Sequence, residues 1–351
     1  MNIVFAVALA LACLCSFVNP KTIWWIGFFG LAYLYLLAAN ICFIVFWALS
    51  PKKKWMLIST VTILFGWTFV GKNLQLFEKE IPEDELENSF QVLSFNVQGF
   101  EQRNTVQSDG KMLNIFDFLR HRDADIICMQ EFVINKWSKD LNEKTLYSQF
   151  EKMPFYHIEL PTGNSGIATF SKHPIISKEV VYADKTNNAC MCSDLLIGTD
   201  TIRVYNIHLK SVGFQHEELK LLHNVVKKDY DLSDVRTVKS IIRQMKASSV
   251  NRAKQVEILS AHIAQSPYPA IICGDFNDPP TSYSYRKVCG NLQDAFVEAG
   301  SGRSATFNIG RIASLRIDNI LYSDVFKAYS YESPRVILSD HFPVMCRLVK
   351  K

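Results

Sequence analysis

The first 77 residues contain no acidic side chain and only five basic ones, Lys21, Lys52, Lys53, Lys54 and Lys72. That lack accounts for the formal charge of +4, because the rest of the chain carries 33 basic against 34 acidic residues, about −1 net. Bulk composition therefore gives little support to a basic stripe built for duplex phosphates. The chain also lacks internal repeats and low-complexity tracts, which excludes solenoids and arrays. With 48% hydrophobic and 21% charged residues in 351, it is neither a disordered chain nor one small domain. A cysteine or three-histidine cluster is missing, so any metal is expected to be a hard cation held by carboxylates and amides.

What is present first is apolar sequence. Asn2 to Val18 is almost wholly apolar and is broken by Asn19-Pro20-Lys21; an uncharged run from Ile23 to Leu49 follows, then Pro51 with three lysines, then Trp55 to Val70. Their lengths suggest three transmembrane helices, about 2–18, 23–49 and 55–70, forming an anchor over residues 1–71. A cleaved signal peptide is the weaker alternative, since the first run lacks a positive n-region and Ala10-Leu11-Ala12-Cys13 is a poor lipobox. Positive loops stay cytoplasmic, so Lys52-Lys53-Lys54 implies that everything after Gly71 is extracytoplasmic. Cysteine points the other way: Cys128, Cys273 and Cys346 sit in apolar strand-like runs and read as free, a cytosolic habit. The helices hold no charged residue and Asn40 is their main polar candidate, which argues against a transporter or channel.

Residues 72–89 read as a linker and residues 90–351 as a catalytic α/β domain. Phe90–Asn96, Thr201–His208 and Arg316–Tyr322 alternate as half-buried strands do, while Asp125–Met129 and Ala270–Cys273 are continuous apolar runs of fully buried strands. Met112–Arg122 and Arg252–Ala264 show helical spacing. The charged stretch Glu217–Ser249 reads as a pair of surface helices or an insertion. Cys190-Met191-Cys192 lacks metal-ligand spacing and reads as structural. Arg252 reads as structural, and His121, His157, His173, His216, His223 and His262 have no convergent partners in the pattern.

Polar residues suited to a divalent cation and a phosphate recur at the ends of these strands: Asn96, Glu131, His208, Asp275 with Asn277, Asp318, and Asp340-His341. A phosphodiester hydrolase needs such a set: oxygen ligands for Mg²⁺, a base for water, and donors facing the phosphoryl oxygens. The string Ser94-Phe-Asn96, Gln130-Glu131, Asn206-Ile-His208, Gly274-Asp-Phe-Asn277, Arg316-Ile-Asp318 and Ser339-Asp-His341 resembles the endonuclease/exonuclease/phosphatase superfamily, in the family's motif order. Gly166-Ile-Ala-Thr-Phe-Ser171 with Pro174-Ile175 is similar to that family's second-strand signature.

The resemblance implies a DNase I-like four-layer α/β sandwich, two central mixed sheets flanked by helices, here preceded by the three transmembrane helices. It implies Asn96, Glu131 and Asp340 as metal ligands, for Mg²⁺ with Mn²⁺ as a substitute. It further implies Asp275 as the group that positions and deprotonates water, Asn277 as a donor to a phosphoryl oxygen, and His208 and His341 bracketing the phosphate. Asp318 would orient His341. His208 resembles the DNase I and sphingomyelinase branches, and Asn319 departs from a position where an aromatic is common. The expected function is a membrane-anchored, Mg²⁺-dependent phosphoesterase acting on a phosphodiester or phosphomonoester, with a lipid-linked substrate favoured. A tethered DNase I-like endonuclease is the less favoured alternative, and a binding or scaffold module that keeps only the fold is the non-enzyme alternative.

Overall fold

Side chains alternate across a strand with a period of two, so Phe90, Val92, Ser94 and Asn96 belong to one face and Leu93 and Phe95 to the other. The computed structural model, which describes residues 1–101, 104–106, 112–184, 186–213, 235–309 and 313–351, divides them in this way. His216, His223 and the expectation for residues 217–234 lie outside the described residues. By its contacts the chain forms two units, described separately below.

The larger unit comprises Gln75–Leu209, Glu257–Asn277 and Cys289–Lys351 and holds two six-stranded sheets. Sheet one runs Phe326–Glu332, Val344–Lys350, Ser89–Asn96, Ile126–Val133, Ser165–Ser171, Phe155–Glu159. Sheet two runs Gln293–Asp294, Asp318–Tyr322, Ala270–Asp275, Asp200–His208, Ala189–Ile197, Ile175–Ala183. Both are mixed. Ser89–Asn96 pairs parallel with Ile126–Val133 and antiparallel with Val344–Lys350, and Ala270–Asp275 pairs parallel with Asp200–His208 and antiparallel with Asp318–Tyr322.

One buried cluster joins the sheets face to face: Val92, Ile126 and Cys128 of sheet one with Val204, Ile271, Cys273 and Ile320 of sheet two. Each such aliphatic side chain contributes roughly 1.5–3 kcal/mol by leaving water. On the outer face of sheet one, Leu93, Phe95, Ile127 and Met129 meet Phe116, Phe118 and Leu119 of the helix Ile115–Arg122. On the outer face of sheet two, Tyr205 meets His262 of the helix Val235–Ala264. The result is the expected sandwich of sheets with flanking helices.

One helix expectation is corrected and another is extended. Met112–Asn114 is a short strand paired with Asn104–Val106, and the helix starts at Ile115 because the Asn114 side chain accepts the N–H of Phe116 at 2.8 Å. Arg252–Ala264 is helical, as expected, and is the end of a 30-residue helix, Val235–Ala264, that also takes in residues 235–249 of the stretch read as surface helices or an insertion. All nine cysteines are free.

The smaller unit comprises Met1–Leu74, Lys210–Val256 and Asp278–Val288. Its helices Asn2–Leu14, Tyr33–Ala48 and Met56–Phe65 pack around Leu9, Ala12, Tyr33 and Leu37. Several polar groups here find partners inside the unit: Asn40 Nδ2 donates to the carbonyls of Phe5 and Leu36, and Ser59 Oγ donates to Asn2 Oδ1 at 2.6 Å, whereas Asn40 Oδ1 and Trp47 Nε1 are buried without one. The three uninterrupted spans expected from hydropathy are not formed. Among the described residues no single helix is long and apolar enough to cross a membrane; Trp24–Leu31 bends from Tyr33–Ala48 by 59°, and Lys53–Phe65 from Trp67–Asn73 by 65°. Gly66 marks the second break with off-helix backbone (φ −96°, ψ 17°), and a side chain there would meet Cys13 Sγ at 2.5 Å. The hydropathy of a run registers none of this, because backbone breaks depend on close helix approach.

Candidate active site

The face that builds the inter-sheet core ends, strand by strand, in the residues singled out above. Along sheet one, Phe90, Val92 and Ser94 lead to Asn96. Along sheet two, Ile202, Val204 and Asn206 lead to His208, Ile271 and Cys273 lead to Asp275, and Tyr322 and Ile320 lead back to Asp318. Register fixes the neighbours, for Asp275 lies opposite His208 on one side and Asp318 on the other. The same period of two that fills the core therefore gathers the polar ends at one mouth.

Glu131 reaches this mouth through a break in the alternation. Gln130 faces the partner sheet and Phe132 the outer core, so Glu131 is the extra residue of a bulge, with φ +53°. Beneath it lies a buried polar network between the sheets. Gln130 Nε2 donates to Asn206 Oδ1 at 2.8 Å, and Asn206 Nδ2 donates to the carbonyls of Met129 and Ala168. Gly274 is required where it stands: its φ is +146°, and a Cβ would fall 2.0 Å from the carbonyl oxygen of Ile207.

Asp275 is the hub. Its Oδ2 accepts from Asn96 Nδ2 at 3.1 Å and from Asn277 Nδ2 at 3.2 Å, and its Oδ1 accepts the N–H of Asn277 at 2.8 Å. Nε2 of His208 and Nε2 of His341 each lie 3.7 Å from Asp275 Oδ2. Asn96 Nδ2 also donates to Glu131 Oε1 at 3.2 Å, and His208 Nε2 is 3.7 Å from the same oxygen. Asp340 joins through its backbone N–H, which donates to Gln98 Oε1 at 3.2 Å, and lies with Oδ1 3.2 Å from Ser339 Oγ, whose hydroxyl donates to the Asn96 carbonyl at 2.7 Å. All eight residues picked out from the sequence are thus brought together.

Hydrogen bonding assigns the tautomers. A carbonyl can only accept, so Nδ1 of His208, 3.0 Å from the Asn187 oxygen, carries a proton and leaves Nε2 facing the mouth, buried and without a hydrogen-bond partner. Nδ1 of His341 donates to Asp318 Oδ2 at 2.9 Å. Burial alone would lower the His341 pKa, but Asp318, Asp275 and Asp340 outweigh it and lift it to about 10, so the ring is a cation at neutral pH. Burial raises Asp275 above its ordinary range, with His341 pulling it back down. Asp340 is likewise raised by burial, with His341 opposing.

The donors suit a hard cation. Glu131, Asp275 and Asp340 offer carboxylate oxygens, the donor type such a cation prefers. Asp275, Asp318 and His341 also bring one ligand atom each within 4.8 Å of one another. His341 is unsuited to ligation, however, because one nitrogen is spent on Asp318 and the ring is protonated. Asn96 as placed turns its NH₂ to the carboxylates and its oxygen to the N–H of Gln98, so it would have to turn over to ligate. Asn277 likewise donates inward, to Leu209 and Asp275, and here braces the hub. Sequence reasoning missed Gln98, the Asn187 carbonyl, and Thr306, whose hydroxyl accepts the N–H groups of Ile317 and Asp318. None sits in a motif, and only the loop paths bring them near.

Residues 93–341 match the Endonuclease/Exonuclease/phosphatase family, and residues 1–73 match a domain family of unknown function. No curated protein sequence matches the chain. Among solved structures, an endonuclease/exonuclease/phosphatase from Beutenbergia cavernae is 15% identical, aligned over 75% of this chain and 72% of its own with a TM-score of 0.50. A humanized D. rerio TDP2 is 12% identical over 74% of this chain and 99% of its own, with a TM-score of 0.52. At such identity these two structures show the fold.

Proposed function

Since this chain belongs to the endonuclease/exonuclease/phosphatase family and is a phosphate-ester hydrolase, we infer that it cleaves a phosphodiester or phosphomonoester by in-line attack of water at the mouth between its two sheets. The observation that carries this is the placing of one buried carboxylate, Asp275, between the imidazoles of His208 and His341.

Asp275 takes the proton of the attacking water; burial raises its pKa, which makes it a better base than an exposed carboxylate, and Asn277 fixes its rotamer. His341, kept cationic by Asp318, faces the charge on the phosphoryl oxygens. His208 presents Nε2 from a ring anchored at Nδ1, where it donates to a phosphoryl or leaving-group oxygen once protonated. Glu131 and Asp340, with Asn96 turned, would hold Mg²⁺ or Mn²⁺, which when bound polarises the phosphoryl oxygen and neutralises its charge.

The composition of the first unit supports a substrate class. The two bent helix pairs of the first unit meet the length and composition of membrane elements. Phe17, Tyr35, Phe46, Leu49, Phe65 and Trp67 expose more than half of their surface there. This supports membrane attachment and a lipid-linked or membrane-proximal ester, and the Lys52-Lys53-Lys54 loop supports an extracytoplasmic catalytic unit. The test is a panel of phospholipids, sphingolipids, sugar phosphates and nucleic acids with Mg²⁺, using Asp275→Ala as blank. Turnover of a lipid phosphoester with little salt dependence is expected; turnover confined to nucleic acid, falling steeply with salt, would overturn the lipid assignment.

A further inference from the structure

Away from the mouth, on the outer face of sheet two, three side chains of metal-ligand type converge. Glu179 comes from the edge strand Ile175–Ala183, Cys192 from its neighbour Ala189–Ile197, and His262 from the last turn of the helix Val235–Ala264. The ladder sets Glu179 opposite Cys192, which places their side chains on one face. Cys192 Sγ lies 3.8 Å from Glu179 Oε2, His262 Nε2 lies 3.2 Å from Glu179 Oε1, and one ligand atom from each residue lies within 4.8 Å of the other two. Zinc bonds of about 2.3 Å to sulfur and about 2.0 Å to nitrogen and oxygen, at tetrahedral angles, require ligand separations of about 3.3–3.6 Å. The three atoms thus stand close to ligating distance before any cation arrives.

The surroundings are arranged as they are around a metal-bound imidazole. Nδ1 of His262 is 2.9 Å from the Tyr205 hydroxyl, which fixes the ring and leaves Nε2 as the nitrogen that faces Glu179 and Cys192. Cys192 is buried while the Glu179 side chain is 51% exposed, so the group is closed on the sheet side and open to water on the other, with room for a fourth ligand. A thiol, an imidazole and a carboxylate favour Zn²⁺ over Mg²⁺, whereas the oxygen donors at the mouth have the opposite preference. Sequence spacing could not reveal this, because the ligands stand 13 and 70 residues apart on three different elements. His262, read from the sequence as having no convergent partners, has two here, Tyr205 and Glu179.

We propose that Glu179, Cys192 and His262 form a second, thiophilic site that binds Zn²⁺ and clasps the edge strand Ile175–Ala183 to its neighbour and to the long helix. Binding forms a sulfur–metal bond and releases the Cys192 proton to solvent, since burial keeps this thiol protonated, with its pKa pushed up to about 12, until a cation replaces the proton.

The experiment is a Co²⁺ titration of the reduced, metal-stripped full-length chain, read by the near-ultraviolet charge-transfer band of thiolate-bound cobalt. A band that saturates, is displaced by Zn²⁺, persists in Asp275→Ala and vanishes in Cys192→Ser is the expected result. Glu179→Gln is partly exposed and leaves the core intact; it and His262→Gln should each weaken Co²⁺ binding ~10-fold or more. No band in the wild-type chain, an undiminished band in Cys192→Ser, or unchanged affinity in both Glu179→Gln and His262→Gln would overturn the proposal. If Cys192→Ser loses its native circular dichroism, the other two variants decide.

Discussion

Asp318 accepts a 2.9 Å hydrogen bond from Nδ1 of His341, and both residues are buried. The pair fixes the tautomer, the orientation and the charge of the imidazole beside Asp275. Asp318→Asn keeps the shape and removes the charge. Turnover is expected to fall by about 10²-fold or more, as when a carboxylate behind a catalytic histidine is neutralised. The alkaline limb of the pH–rate profile should move below its wild-type position near 10, because the largest influence holding His341 protonated is gone. Steady-state kinetics across pH on the variant and wild type checks both.

The pH dependence of stability has a definite sign. The folded pKa of His341 is raised from 6.5 to about 10, so its contribution is fully present below about 6.5 and is lost as pH rises through about 10. Within that window the slope from this one group approaches about −1.4 kcal/mol per pH unit. Denaturant midpoints of metal-stripped protein should fall from pH 7 to pH 10, and His341→Asn should flatten the decline.

Gly274→Ala tests the close approach of strands beneath the site. A Cβ would lie 2.0 Å from the Ile207 carbonyl oxygen, so the strands carrying His208 and Asp275 must separate. Backbone strain alone costs about 1–3 kcal/mol. Lower thermal stability together with an activity loss larger than the unfolded fraction explains is the expected outcome.

Asn206→Leu tests the buried network between the sheets. Asn206 serves Gln130, Met129 and Ala168 at once, and leucine leaves those groups buried without their partner. A loss of about 1–3 kcal/mol per unsatisfied group is expected in urea unfolding. Gln130→Leu combined with Asn206→Leu should cost less than the two separate effects added, because each alone strands the other.

Much of the catalytic unit was legible because period-two alternation in the strands Ser89–Asn96, Asp200–His208 and Ala270–Asp275 simultaneously specifies the core and the polar ends. Asn96, His208, Asp275 and Asn277 lie at such ends or just beyond them and Asp318 at the start of its strand, whereas Glu131 sits at the bulge inside Ile126–Val133 and Asp340 and His341 in the loop before Val344–Lys350. What could not be read depends on the path of the chain between strands. Gln98 and the Asn187 carbonyl act from loops, and the inward turn of the Asn277 amide is set by Leu209, far away in sequence. In the first unit hydropathy was visible, but the bends near Ala32 and Gly66 were not, since an apolar run looks the same whether its helix is straight or broken.

Asp275→Ala, assayed beside the wild-type chain on an activated phosphodiester before and after chelation and with Mg²⁺ restored, tests the central claim most directly. The wild type should lose turnover in excess chelator and regain it with Mg²⁺, while Asp275→Ala stays at least ~10²-fold slower throughout, as expected for loss of a general base. Wild-type turnover by Asp275→Ala in the presence of excess chelator would contradict the account.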